Sequence, residues 1–286
     1  MRHPLLVTVS AIALAGVAGL AVLRARAEAE TRRMEAGLAA PTPVEAFSEA
    51  HTRGLPEPAR RYLHHAIAPG TPLAPACRLE MSGRMAPSPG AAPLRLTATE
   101  VLAPRAGFVW AARASMRGVP VHVRDHYHNG AGGLRVAPLG LVPLPSDVPQ
   151  ADVTRSARGR LVAEAVWCPT ALVHPDVAWE ASGADRARFT LAVDGEAVAV
   201  DLRLAPDGAL REVTLLRWGD ADGEPWRALP YGFRVDAEAT FGGVTIPSRI
   251  TGGWLYGTNR FREDAAASFA VRDLRLAGLA PEASAP

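Results

Sequence analysis

The stretch VHVRDHYHNG, residues 121–130, concentrates side chains that could exchange protons or bind a metal ion. His126 and His128 have the spacing that places two imidazoles on one face of a strand, where they could share a metal. Arg124 falls on the same face and would repel a cation, and no third ligand is identifiable in the sequence. We therefore expect no metal site here, and interpret the histidines as a solvent-facing cluster close to a turn.

The other face of this predicted strand carries Asp125 and Tyr127, which continue a row of valines. If that row faces the core, the Asp125 carboxylate enters an apolar interior, where burial without a partner is costly. Candidate partners are arginines on neighbouring strands. The sequence leaves two interpretations open: a structural ion pair, or a functional carboxylate that acts as a general acid or base with Tyr127 beside it.

A second region with candidate chemistry is AEAVWCPTALVHPDVAW, residues 163–179. Glu164 lies in the last turns of a predicted helix, Trp167 lies next to a proline-marked bend, and Thr170 lies within that bend. Proline-stiffened loops rich in aromatic residues form either walls of ligand sites or simple hydrophobic lids. Both interpretations stay open.

Composition excludes several common chemistries. The chain contains no Lys, which removes Schiff-base catalysis and the lysine of a phosphate-binding loop. It has only two cysteines, Cys77 and Cys168, too few for a cysteine-rich zinc module, and whether they pair stays open. The 31 basic residues nearly cancel the 29 acidic ones, so the strongly basic face of a nucleic-acid-binding protein is not expected. We expect neither a nucleic-acid partner nor a cofactor.

Residues 5–23 form an uncharged apolar run that predicts contact with a membrane. As a helix this run would be about 28 Å long, close to the thickness of a hydrocarbon core. Residues 1–27 are therefore expected to be a transmembrane anchor, with a cleaved signal segment as the alternative because 25–27 read Ala-Arg-Ala. We predict a single-pass cell-membrane protein. More arginines follow the run than precede it, which favours a cytoplasmic domain, but the side of the membrane stays open.

The remaining elements must position these residues. Juxtamembrane and N-terminal helices are expected over 28–75, followed by a sheet domain over 76–278 and a disordered tail over 279–286. From Cys77 onward apolar and polar residues alternate and turn dipeptides such as Asn129-Gly130 separate the runs, while helical spacing returns near 152–168. This pattern predicts an α+β fold with about 11–12 mostly antiparallel strands, curved into a half-barrel. The concave face would be plugged by the helices or open to a lipid-like ligand.

Several segments taken together resemble an uncharacterised bacterial family, DUF6544, over about residues 55–255. The similarity is carried by LPEPARRYLHHAI, GFVWAARASM, VPVHVRDHYHNG and LVAEAVWCPTAL, in this order. The family pattern does not include His126 or His128, which further disfavours a metal site. The family has no assigned activity, so the resemblance implies boundaries and positions only. The matching positions are Pro56, Pro58, Arg61, Tyr62, Trp110, Arg124, Asp125, Tyr127, Gly130, Glu164, Ala165, Trp167, Pro169 and Thr170.

Three functions are consistent with these patterns. The preferred hypothesis is a membrane-tethered module that binds a lipid or other apolar ligand in the half-barrel cavity. The first alternative is a hydrolase-like enzyme that uses Asp125 or Glu164 as acid or base. The second is a structural component of the cell envelope. The candidate ligand-binding residues are Arg124, Asp125, Tyr127, Glu164, Trp167, Thr170 and Trp110.

Overall fold

A computed structural model describes residues 4–42, 44–86, 91–221 and 223–279, with side chains from Ala18 onward. Residues 280–286, nearly all of the predicted tail, lie outside these ranges. The same holds for the side chains of residues 5–17 in the predicted membrane anchor.

Within the described ranges, twelve antiparallel strands form one sheet, which confirms the predicted fold class. The strands are β1 (Ala76–Met85), β2 (Leu94–Ala103), β3 (Gly107–Met116), β4 (Val119–His128), β5 (Ala131–Pro138), β6 (Ala178–Gly183), β7 (Arg186–Val193), β8 (Glu196–Leu204), β9 (Leu210–Gly219), β10 (Arg227–Phe241), β11 (Val244–Trp254) and β12 (Ala267–Ala277). Their spatial order is β5-β4-β3-β2-β1-β12-β11-β10-β9-β8-β7-β6. Two meanders of hairpins therefore meet where β1 pairs with β12.

Three α-helices accompany the sheet in the described part: α1 (Pro4–Leu38), α2 (Glu57–Ala66) and α3 (Gln150–Ala163). Short 3-10 turns cover Glu49–Thr52, Glu164–Trp167, Pro169–Val173 and Glu263–Ala265. The helix predicted near 152–168 becomes 3-10 at Glu164. An α-helix cannot continue through Pro169, because proline has no backbone N–H to donate. α1 continues unbroken through residues 27 and 28, so the predicted anchor and juxtamembrane segments belong to one continuous helix.

The sheet curls around α3, so that its two halves approach each other. Tyr127, near the end of β4, donates a hydrogen bond to Asp194 in the turn between β7 and β8. Arg158 of α3 in turn donates to the Tyr127 hydroxyl at 3.3 Å. Strands far apart in the sheet order are thereby in contact, as expected of a sheet curved into a half-barrel.

The concave face of the half-barrel is filled by the protein's own helices. Leu63 and Ile67 from the α2 segment and Leu161 from α3 are fully buried against sheet residues such as Phe189 and Leu202. Burial of these side chains removes apolar surface from water and stabilises the fold. The prediction of a ligand cavity inside the half-barrel is therefore wrong, because the helices occupy the region in which the cavity was expected. Cys77 and Cys168 are buried there as free thiols.

The C-terminal part of α1 packs on the outer, convex face of the sheet. Leu38 is buried with Val101 and Val109, and Met34 packs against this small cluster. α1 therefore lies against β2 and β3 on the side opposite α3. No helix in the portion of the chain covered by the structure is both long and apolar enough to span a membrane.

Candidate functional site

Three carboxylates from different elements surround one arginine of α3. Nη1 of Arg160 donates to Oδ2 of Asp125 at 2.7 Å, and its Nε donates to Oε1 of Glu164 at 2.8 Å. Oε1 of Glu100 lies 3.7 Å from Nη2 of the same guanidinium. We call these four residues the carboxylate cluster.

Strand register and helix periodicity explain why these residues meet. Glu100 on β2 pairs with Trp110 on β3, and Trp110 pairs with Asp125 on β4, so their side chains share the concave face. Arg160 and Glu164 are four residues apart, which places them on one face of the helix end. The Arg160 guanidinium also lies 5.1 Å from the centroid of the Trp110 ring, a cation–π contact.

Burial favours the neutral form of one carboxyl group of the cluster, that of Glu100. Glu100 is fully buried, and both its carboxyl oxygens lack a hydrogen-bond partner among the described residues. Its burial, followed by the negative charge of Glu164, raises the pKa of Glu100 well above its usual value. For Arg160, burial lowers the pKa, but the charges of Glu164 and the other carboxylates outweigh this effect and raise it. The cluster thus favours a charged guanidinium and a neutral Glu100.

Asp125 and Glu164, the two predicted acid–base candidates, converge on the same guanidinium. The sequence suggested that the partner of Asp125 would be an arginine on a neighbouring strand. This prediction is wrong, because the partner, Arg160, lies on α3. Only 20% of the Asp125 side chain and 10% of the Glu164 side chain are exposed. A general acid or base must contact a substrate, whereas these carboxylates face Arg160. The arrangement is best suited to holding α3 against β2 and β4.

The other predicted residues of the concave side make contacts to the backbone. Nε1 of Trp167 donates to the Pro247 carbonyl at 2.9 Å, and the Thr170 hydroxyl donates to the Ala74 carbonyl at 2.7 Å. These bonds fasten the two 3-10 turns to β11 and to the segment that precedes β1. Both side chains are buried, and neither lies in the carboxylate cluster.

Arg124 lies on the opposite, convex face, as the alternation of β4 predicts. Its Nη1 is 3.2 Å from the Thr31 hydroxyl and 3.1 Å from a carboxylate oxygen of Glu30, both on α1. It therefore does not join Asp125 or Tyr127 in one site. Among the residues that the structure describes, no group of three or more His, Cys, Asp or Glu side chains is arranged to hold a metal ion.

A cleft of about 600 Å³ separates α1 from the convex face of the first five strands. Its arginines are Arg24, Arg32, Arg78, Arg113, Arg124, Arg135 and Arg272, and its acidic residues are Glu28, Glu35 and Glu80. We call it the basic cleft. Apart from Arg124, sequence reasoning did not single these residues out. The sequence signal that could have indicated the cleft was the row of polar residues that alternates with the valine row on β4.

A second cleft, of about 540 Å³, lies beside α3 on the other half of the sheet. Its charges are largely engaged by neighbouring side chains. Arg155 lies 3.7 Å from the centroid of the Trp218 ring, and Arg188 forms an ion pair with Asp201 at 2.8 Å. With three arginines and two acidic residues on its lining, this cleft has a smaller arginine excess than the first.

Comparison with solved structures finds distant similarities. A LolA superfamily protein of Nitrosomonas europaea shares 11% sequence identity, with 80% of this chain and 96% of that chain covered and a TM-score of 0.40. A DUF1329 family protein of Desulfovibrio piger shares 10% identity, with 74% and 88% covered and a TM-score of 0.31. No curated protein sequence matches this chain.

The family comparison covers both the carboxylate cluster and most strands of the sheet. DUF6544, described as a family of unknown function, matches residues 45–263, which is more than half of the chain. The resemblance noted from the sequence is thereby confirmed: this chain belongs to the DUF6544 family.

Proposed function

We propose that this protein is a membrane-tethered module that binds an anionic, lipid-like ligand, with the acidic head group of the ligand in the basic cleft. The observation that carries the proposal is the excess of arginine over glutamate around this one opening. Guanidinium groups match phosphate and carboxylate geometry through paired hydrogen bonds. Such a surface therefore attracts an anion of this class.

Several of these arginines have no carboxylate in direct contact among the described residues. Arg24 and Arg78 pair with Glu28 and Glu35 on α1. Four others form no ion pair with a carboxylate in the described part of the chain: Arg32, Arg113, Arg135 and Arg272. Glu28 and Glu30 on α1 interact with three of them at longer range, but no carboxylate occupies their guanidinium groups, which could therefore bind a ligand.

The titration of His122, which also lines the cleft, is consistent with a positive potential. Burial first, and then the charges of Arg24 and Arg113, lower the pKa of His122 below its usual value. A nearby positive charge disfavours the protonated imidazole. An anion in the cleft would reduce this repulsion and raise the pKa again.

The walls of the cleft also provide a place for the apolar part of a ligand. Small side chains, among them Ala27 on α1 and Ala111 and Ala137 on the sheet, lie between the arginines. α1 forms one wall and leads, at its N-terminal end, into the apolar run of residues 5–23 that we predict to anchor the chain. A ligand in this cleft would thus lie close to the bilayer.

The test is a binding titration with the full chain in a neutral maltoside detergent, read by native mass spectrometry. The probes are phosphatidylglycerol and phosphatidylcholine with identical acyl chains, and inorganic phosphate in a separate arm. We expect phosphatidylglycerol to bind at least about tenfold more tightly than phosphatidylcholine, a difference of about 1.4 kcal/mol. Phosphate alone should bind more weakly than the anionic lipid, because it lacks the apolar contacts.

Three outcomes would contradict the proposal. Equal binding of the two lipids, or no binding of either, would show that the arginine excess does not select an anionic head group. Phosphate binding as tightly as phosphatidylglycerol would identify an anion site that takes no lipid.

A further inference from the structure

One end of the first half of the sheet carries a group of exposed apolar side chains. Met116 pairs with Val119 in the hairpin between β3 and β4, and the amide of Leu139 donates to the Pro120 carbonyl at 2.7 Å. The hairpin 115–120 and the loop 139–145 are therefore neighbours, and we call them together the apex. The β1–β2 pair Met85 and Leu94 lies at the same end of the sheet.

The large apolar side chains of the apex point into solvent. The exposed fractions are 41% for Met116, 44% for Val119, 49% for Leu139, 56% for Val142 and 56% for Leu144. Single exposed apolar residues are ordinary on soluble proteins, but a contiguous group marks an interaction surface. The apex is such a group, because two adjacent segments contribute to it.

α1 leads from the sheet toward the apex. A Cβ on Gly37 would lie 3.6 Å from His128, Arg124 contacts Thr31, and Arg24 acts electrostatically on His122. Residues 24–37 of α1 and residues 122–128 of β4 each span about 20 Å, at roughly 1.5 Å and 3.3 Å per residue. α1 therefore runs alongside β4. At the same rates α1 reaches the level of Val119 near Ala18. The earlier part of the apolar run would then lie beyond the apex.

Arginines surround this end of the sheet. Arg84 and Arg95 are direct cross-strand neighbours on β1 and β2, and Arg113 and Arg117 lie in or next to the apex hairpin. All four are exposed, and none forms an ion pair with a carboxylate in the described ranges. Two like charges facing each other across strands are unfavourable unless an anion lies nearby. Anionic lipid head groups supply such charges at a membrane surface.

We propose that the apex is a membrane-docking surface: its apolar side chains enter the interface of an anionic bilayer, and the arginines around it bind the lipid head groups. This inference rests on the proposed tethering through α1. It commits to a lipid surface because the apolar group, the arginines and the exit of α1 coincide at one end of the molecule. Apolar side chains flanked by basic residues are what binds a protein to a membrane interface.

Docking at the apex would place one end of the basic cleft next to the bilayer surface. Gly140 in the apex lines the cleft, as do Arg24 and Arg113 next to the apex. An anionic lipid could then enter from the membrane surface without crossing water. The two surfaces would act in sequence, with the apex holding the domain in place and the cleft receiving the ligand.

The experiment places a polarity-sensitive fluorophore on the full chain in vesicles of phosphatidylcholine and phosphatidylglycerol. The probe is attached at Val142→Cys in the apex or, as a matched control, at Ala106→Cys in the exposed β2–β3 turn at the other end of the same strands. Cys77 and Cys168 are buried and should not be labelled. Quenching by a nitroxide-labelled lipid should be at least about twofold greater at position 142 than at 106, with a blue-shifted emission.

Three other outcomes would overturn docking, and one of them would also overturn the tether. Equal access of both probes to aqueous iodide, in protein that floats with the vesicles, would overturn docking while leaving the tether intact. A probe at 142 that is shielded from iodide but not quenched by the lipid, with shielding lost on dilution, would indicate contact between two copies and would also overturn docking. Failure of the full chain to float with vesicles would overturn the tether and docking together.

Discussion

Arg124 and Asp125 are consecutive residues of β4, yet they belong to two regions with opposite charge balance. On the concave face, Asp125 joins a cluster in which three carboxylates share one guanidinium. On the convex face, Arg124 lines a cleft in which arginines outnumber glutamates. The two faces of the same strand therefore carry opposite excess charge within one residue of each other.

Access to water distinguishes the roles of these two regions. The concave cluster is largely sealed, so each of its charges depends on a partner or on protonation for its stability. The convex cleft is open, so its excess charge is screened by solvent and remains available to a ligand. We expect changes in the carboxylate cluster to alter folding, and changes in the basic cleft to alter binding.

The largest expected effect follows from removing the arginine of the cluster. Arg160→Met leaves the buried carboxylates without a cation and should lower the free energy of unfolding by about 3–5 kcal/mol. Urea unfolding of the detergent-solubilised full chain, followed by tryptophan fluorescence, measures this. The control is Arg188→Met, which removes an exposed ion pair with Asp201 and should cost at most about 1 kcal/mol. Equal costs for the two variants would mean that the cluster does not hold α3.

A pH-dependent effect is expected from Glu100. Because its folded pKa is raised, unfolding releases a proton above the usual pKa of 4.5, and the native state loses stability as pH rises from there toward the folded pKa. One proton corresponds to at most about 1.4 kcal/mol per pH unit. Glu100→Gln removes this dependence, so its stability relative to the unchanged protein should rise with pH across that window. Urea unfolding at a series of pH values tests this, and parallel stability curves would contradict it.

A smaller effect on stability is expected at the contact between β4 and the turn that joins β7 to β8. Tyr127→Phe removes the hydroxyl that donates to Asp194 and accepts from Arg158. The free energy of unfolding should fall by about 1 kcal/mol, the usual contribution of one hydrogen bond, with phosphatidylglycerol binding unchanged. A loss of lipid binding with no loss of stability would instead place Tyr127 in a ligand site.

The sequence predicted the sheet and the two faces of β4 because strand alternation is a local signal. It also predicted that Asp125 needs a partner, since its position in a valine row is visible without a structure. It could not identify Arg160, because the docking angle of α3 decides which of its arginines reaches the strand. Glu100 was missed for a related reason: only the register of β2 and β3 aligns it with Trp110.

The basic cleft was less accessible to sequence reasoning than the cluster. It forms only because α1 packs on the convex face through a small contact around Met34 and Leu38. The charged residues around these two positions gave no periodic signal that distinguishes packing on the sheet from a helix surrounded by water. The arginines of α1 and of the sheet are far apart in sequence, so their convergence depends on this tertiary contact.

The most direct test is the dissociation constant of phosphatidylglycerol for a double variant, Arg32→Gln with Arg113→Gln. These arginines lie on the α1 wall and the sheet wall of the cleft. The control, Arg211→Gln with Arg275→Gln, removes two exposed arginines that do not line the cleft and changes the net charge equally. We predict at least about tenfold weaker binding for the cleft variant, unchanged binding for the control, and unfolding free energies within about 1 kcal/mol of the unchanged protein for both. Equal dissociation constants for the two double variants would contradict the assignment of ligand binding to the basic cleft.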